Sequence, residues 1–199
     1  MSNNATTVLL CGVGGQGALL AADILARCAM ACGHNVKLSE IHGMAQRGGA
    51  VTTVVRFGDD VSSMVADLGA VDFLVSFETT EALRNIAYVR EGGAIIVSDE
   101  SIKPLPVLTG KLGMPAKARK RLSDHGAKVI PAELLAKQAG SVKAVNVVLL
   151  GALSTYLPYP ESVWIDTIEQ RVPAKFKEIN IEAFRSARAW MARENEKEA

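Results

Sequence analysis

The stretch LLCGVGGQGALLAADILA, Leu9 to Ala26, constrains this chain more than any other. An apolar run ends in glycines, and an apolar helix-forming run follows at once. Gly12, Gly14 and Gly17 satisfy G-x-G-x-x-G, the turn through which a strand feeds a helix in nucleotide-binding α/β units. On this pattern Gly12 permits the tight turn, Gly14 lets the backbone approach a phosphate, and Gly17 lets the helix pack near the sheet. The helix N-terminus then offers free N–H groups and partial positive charge to an anion. Gly15 and Gln16 complete the turn. Three occupants stay open on the residues alone. One is NAD(P) or FAD, with Glu40 as the acid for the ribose hydroxyl. The second is none, the turn serving only to pack helix on strand. The third is a phosphate-bearing ligand or a partner protein.

The rest of the chain extends the pattern. Thr7–Cys11, Asn35–Glu40, Ala50–Phe57, Val71–Phe77, Ala94–Ser98 and Ala127–Pro131 predict strands. Helices are predicted over Gly15–Cys32, Glu78–Arg90 (ended by Gly92-Gly93), Pro115–His125, Ala132–Ala139 and Val142–Tyr156. Residues 101–115 read as a loop. This order predicts an α/β fold: a doubly wound, mostly parallel Rossmann-like sheet with helices on both faces. Pro158 and Pro160 break the chain, and Ser162–Arg171 and Ala174–Glu196 are amphipathic. Residues 1–157 are therefore expected to form the Rossmann-like domain and 158–199 its helical C-terminal extension.

Composition excludes several classes of function. A net charge of +1 and 5% aromatic residues argue against a nucleic-acid partner. No apolar run approaches the ~18 residues of a membrane span. Met1–Thr7 lacks the pattern of a secretory leader. Cys11, Cys28 and Cys32 fit a reducing, cytoplasmic setting better than a disulfide scaffold. No CxxC exists, and small apolar packing is the ordinary role of such cysteines. A metal site from Cys28, Cys32 and His34 is conceivable, but none is expected.

SEIHGMAQRGGAVTTVVRFG, Ser39 to Gly58, carries most of the chemistry. His42, Gln46 and Arg47 fall within six positions, closed by Gly48-Gly49. His42 could act as acid, base or hydrogen-bond donor near neutral pH. Arg47 beside two glycines suits a phosphate or carboxylate, with backbone N–H groups alongside. A satisfied surface loop is the plainer alternative.

GVGGQG and SEIHGMAQRGG together resemble the small subunits of indolepyruvate ferredoxin oxidoreductases. More broadly, the chain is similar to the gamma subunits or domains of the 2-oxoacid:ferredoxin oxidoreductases. AVDFLVSFE (Ala70–Glu78), KAVNVVLLGAL (Lys143–Leu153) and VPAKFKEINIEAFRSA (Val172–Ala187, with Asn180 and Phe184) follow the same family pattern. The resemblance implies a non-cofactor-bearing subunit, inactive alone, of an enzyme that oxidatively decarboxylates aryl 2-oxoacids to acyl-CoA and reduces ferredoxin. It implies a large partner subunit holding thiamine diphosphate, magnesium and iron–sulfur clusters, with coenzyme A as cosubstrate and ferredoxin reached through the complex. A homodimer of the isolated chain stays open. The chain itself shows neither grouped cysteines for a cluster nor a thiamine-diphosphate signature.

The two loops are expected at the carboxyl edge of the sheet, lining one pocket for an anionic group: a coenzyme A phosphate, the substrate carboxylate or an acidic patch on the partner. Asn146, polar within an apolar helix, is either a satisfied core amide or a ligand contact. Glu78 sits at a strand end, where it either faces ligand or helps cap the next helix through Thr79 and Thr80. KARKR, Lys117–Arg121, reads as a solvated helix face or as a dock for acidic protein. Phe176, Ile179, Phe184, Ala187 and Trp190 or Met191 form an apolar stripe, and Arg193 onward is expected to fray.

Overall fold

The computed structural model describes residues 5–42, 49–103, 105–111 and 113–198. Its strands are β1 (Thr6–Val13), β2 (Asn35–His42), β3 (Ala50–Gly58), β4 (Val71–Ser76), β5 (Val89–Ser98) and β6 (Lys128–Ile130). They form one sheet in the order β2-β3-β1-β4-β5-β6. Its helices are α1 (Ala18–Ala31), α2 (Thr79–Asn85), α3 (Leu105–Leu108), α4 (Ala118–Asp124), α5 (Ala132–Gln138), α6 (Val145–Ser154), α7 (Glu161–Arg171) and α8 (Lys177–Glu198).

Five strands point one way, and β3 runs antiparallel to both β1 and β2. The mostly parallel, doubly wound sheet is as expected. The exception has a plain cause: β2 and β3 are joined by residues 43–49, and a parallel crossover needs a dozen residues or more. β3 therefore returns beside β2 and inserts between it and β1.

Alternate β1 residues serve opposite faces. Val8 and Leu10 join a large core with α1, α6, α7 and α8, whereas Leu9 and Cys11 join a smaller one with α2 and α4. Burial on both sides is why β1 reads as an unbroken apolar run. The tail belongs to the larger core. Phe57, Tyr159, Trp164 and Phe184 form a chain of ring contacts at 6.0, 6.2 and 5.8 Å, and Trp164 and Phe184 are fully buried. Offset aromatic contacts of this kind tie α7 and α8 to the sheet.

Several boundaries differ from expectation. Helix Glu78–Arg90 stops at Asn85, a 3-10 turn covers Ile86–Tyr88, and β5 begins at Val89. Gly92-Gly93 lies inside β5, where the register against β4 slips between Val71 and Phe73. Pairing of Val89 with Val71 outweighs the local helix preference of the segment. The 101–115 loop contains the short α3, and α8 continues to Glu198 rather than fraying from Arg193. No described helix is long and apolar enough to cross a membrane.

Candidate functional site

β1 and β2 end, and β3 begins, at one edge of the sheet. There residues 13–17 carry the chain from β1 into α1. Gly12 is still in β1, opposite Val51. A Cβ on it would fall 2.7 Å from Gln16 Oε1 and 2.8 Å from Phe77 Cβ. Its role is thus to leave room for those side chains, and the turn itself is made by Gly15 and Gly17, at φ +104° and +86°. Gln16 locks the turn: Oε1 accepts from Val13 N at 2.7 Å, and Nε2 donates to Phe77 O at 3.1 Å. Gly14 N donates to Gly49 O at 2.9 Å. The second loop is thereby bonded to the first, and that N–H is not open to a phosphate.

α1 begins at Ala18 rather than Gly15, and no side chain caps its N-terminus. The N–H groups of its first turn face outward without intrahelical partners, as at any helix start. They abut a cavity of about 420 Å³ lined by Gly14, Gly15, Gly17, Leu19, Glu40 and Val51, among others. Uncapped N–H groups at the positive end of a 14-residue helix favour an anion. Glu40 offers the same cavity a carboxylate, suited to a hydroxyl rather than to a second anion.

Gly14, Gly15, Gly17 and Glu40 therefore share the cavity, with Gly12 and Gln16 supporting the turn and Gly49 bonded to it. His42 ends β2 at this edge, opposite Val51. Gln46, Arg47 and Gly48 lie outside the described residues. Asn146 is not in this cavity. It approaches from α6, its Nδ2 lying 3.1 Å from where a Cβ on Gly17 would stand. Leu19 and Val51 were not anticipated. Register could have found Val51, since the strand after the second loop must start beside the end of β1.

Other candidates are committed elsewhere. Glu78, 1% exposed, caps α2 with its own carboxylate, accepting from Thr80 N at 2.9 Å and from Glu81 N. It does not rely on the Thr79 and Thr80 side chains. Burial pushes the Glu81 carboxyl above its ordinary value, partly offset by Arg84. Burial also pushes the Cys11 and Cys28 thiols up to about 12, so neither supplies a thiolate near neutral pH. The His34 ring packs on Phe57 and Tyr159, not with Cys28 and Cys32 as a ligand set. Among the described residues no three His, Cys, Asp or Glu side chains are grouped to hold a metal. In the basic segment, Arg119 donates to Asp99 O and Lys120 pairs with Asp124. Lys103, Lys117, Arg119 and Lys120 line a separate cleft of about 470 Å³.

Comparison with known proteins places the chain in a family. The family model described as pyruvate ferredoxin/flavodoxin oxidoreductase matches residues 7–190. The chain belongs to this family. It is 39% identical over 184 residues to the indolepyruvate oxidoreductase subunit IorB of Thermococcus kodakarensis, spanning 89% of this chain and 91% of that one. The gamma subunit of a keto/oxoacid ferredoxin oxidoreductase from Geobacter sulfurreducens superposes with a TM-score of 0.70 at 24% identity, over 94% of this chain and 98% of that one. The same fold covers 32% of a longer 2-oxoglutarate:ferredoxin oxidoreductase chain from Magnetococcus marinus, with a TM-score of 0.67, 21% identity and 96% of this chain matched. This chain is accordingly a subunit of an oxidoreductase in the 2-oxoacid:ferredoxin class.

Proposed function

We propose that this chain is the cofactor-free small subunit of an indolepyruvate-type ferredoxin oxidoreductase, which converts aryl 2-oxoacids to acyl-CoA and passes the electrons to ferredoxin. Thiamine diphosphate, magnesium and the iron–sulfur clusters are assigned to a large partner subunit. The residues of this chain do not fit a cluster, because Cys11 and Cys28 are buried with raised pKa values and lie in separate cores. Its contribution is an anion site at the carboxyl edge, with coenzyme A as the ligand.

The observation that carries this reading is the bond from Gly14 N to Gly49 O. It joins the uncapped start of α1 to the loop that bears His42, Gln46 and Arg47. A phosphate would be held by the α1 N–H groups and Arg47, and Glu40 would accept from a hydroxyl of the same ligand. Identity to IorB across most of both chains supports the aryl branch. The alternative of a stand-alone NAD(P) or FAD enzyme loses support from strand order. In a dinucleotide site the second strand lies beside the first, whereas here β3 intervenes.

The chain purified anaerobically from its source is expected to bring down a large partner carrying thiamine diphosphate and iron–sulfur clusters. In that assembly, Arg47→Ala should raise the KM for coenzyme A roughly tenfold or more, the loss of a charged hydrogen bond of about 1.5 kcal/mol. The arylpyruvate KM and the yield of complex should stay unchanged. An unchanged coenzyme A KM removes Arg47 from the site, and a shift confined to arylpyruvate reassigns it to the substrate carboxylate. Recovery of a lone chain overturns the subunit assignment.

A further inference from the structure

The segments around Asn146 and Asn180 are not used by the glycine-turn site, yet they converge. The start of α6, the turn before α8 and Leu20 of α1 enclose a second cavity of about 130 Å³. Leu20, Val172, Pro173, Phe176 and Ile179 give it apolar walls, and Lys143 stands at its rim. Asn146 and Asn180 form part of its lining although they are only 4% and 9% exposed.

Each asparagine uses half of its amide within the protein. Asn146 Oδ1 accepts from Val147 N at 3.0 Å. Asn180 Nδ2 donates to Phe176 O at 2.8 Å. These backbone partners fix which end of each amide is oxygen and which is nitrogen. Among the described residues, Asn146 Nδ2 donates to no acceptor and Asn180 Oδ1 receives from no donor. Native interiors rarely leave such groups unpaired. One cavity lined by two largely buried asparagines, each with one amide end unpaired, and otherwise by apolar walls, has the makeup of a small-ligand pocket.

We propose that this cavity is a second binding site, for a small molecule bearing a neutral carboxamide on a flat apolar body. The ligand's carbonyl accepts from Asn146 Nδ2, its N–H donates to Asn180 Oδ1, and its ring lies on the walls. An engineered apolar cavity of ~150 Å³ takes up benzene, so a six-membered ring is the right size. A carboxylate satisfies Asn146 but sets oxygen against oxygen at Asn180, a mismatch that Lys143 at the open rim offsets only in part. The site is independent of the glycine turn, although Asn146 touches both.

The test is a titration of the full chain with benzamide, followed by the side-chain amide signals of Asn146 and Asn180 in ¹H–¹⁵N spectra. The expected result is a saturable shift of both signals, with benzoate at least tenfold weaker. Ile179→Trp enlarges an apolar wall residue while leaving both asparagines in place, and should abolish the shift while the remaining spectrum stays folded. Asn180→Leu should weaken benzamide about tenfold or more. No saturable shift up to the solubility of benzamide, equal binding of benzoate, or full binding by Ile179→Trp each overturns the proposal. The same titration on the chain in its native complex should keep the affinity. Loss of binding there means that a neighbouring subunit fills the cavity, and the small-molecule assignment fails.

Discussion

Gly12 performs a different task from the one its place in the glycine pattern suggests. The three glycines are legible in the sequence as a strand-to-helix turn, and the structure has that turn. What the pattern does not carry is the side-chain packing that gives each glycine its reason. Gly12 is required because Gln16 and Phe77 crowd its Cα, and both contacts depend on β4 ending beside β1. Glu78 shows the same limit. Its place at a strand end fits a ligand contact or a cap, and Glu78 caps α2 with its own carboxylate rather than through Thr79 and Thr80. Beside it, Glu81 gives a prediction in pH. Burial, the larger influence, lifts its folded pKa above the ordinary value of 4.5, and Arg84 offsets part of this. Between the unfolded and the raised folded value the folded state binds more protons, so this group's contribution to stability is largest in acid and falls as pH rises. Glu81→Gln stays neutral throughout. Relative to the wild type it should gain stability from pH 4 to pH 7, seen as a urea midpoint difference that moves in the variant's favour. A difference that stays flat, or turns against the variant, means that the Arg84 pair outweighs burial.

At the scale of elements, most strands and helices were legible because their apolar periods are strong. α1 is apolar over most of its length, and Ala21, Ala22, Ile24, Leu25, Cys28 and Ala29 are all buried. The second half of the 78–90 segment failed because a strand pairing formed 18 residues apart overrides a local preference. The crossing of α6 and α8 was equally out of reach. Every α6 residue from Asn146 to Ser154 is buried, yet nothing local says which helix lies across it. The helices meet tightly at Gly151, where a Cβ would clash with Phe184 O and stand 2.9 Å from Ala187 Cβ. The first neighbour is backbone, so no flexible side chain can yield. Gly151→Ala must push the two helices apart, at a cost of about 1–3 kcal/mol or more, against a gain of under about 1 kcal/mol in helix propensity. Thermal unfolding should fall by several degrees, about 2–4 °C for each kcal/mol at this chain length. An unchanged or higher midpoint would show that α8 shifts freely on α6.

For the whole molecule, the class of fold follows from the order of strands and helices, but the function turns on one short connection. Residues 43–49 are too few for a crossover, so β3 must lie antiparallel between β2 and β1. That insertion moves Glu40 to a strand two places from β1. With strands about 4.8 Å apart, it sits roughly 10 Å across the sheet instead of about 5 Å. An acid meant for the ribose of a dinucleotide held on the glycine turn would belong on the adjacent strand. The same connection gains the Gly14–Gly49 bond, which a dinucleotide-binding turn lacks because its second glycine must stay open to the pyrophosphate. Both changes remove features of dinucleotide binding while leaving the start of α1 uncapped. Titration calorimetry on the chain should therefore show no saturable heat with NAD or NADP up to millimolar concentration. Coenzyme A should bind more tightly than either, and raising salt should weaken it, since salt screens the attraction between a phosphate and a cationic side chain. Micromolar NAD binding that Glu40→Gln abolishes would mean that the extra strand does not separate acid from turn, and that the cavity is a dinucleotide site after all.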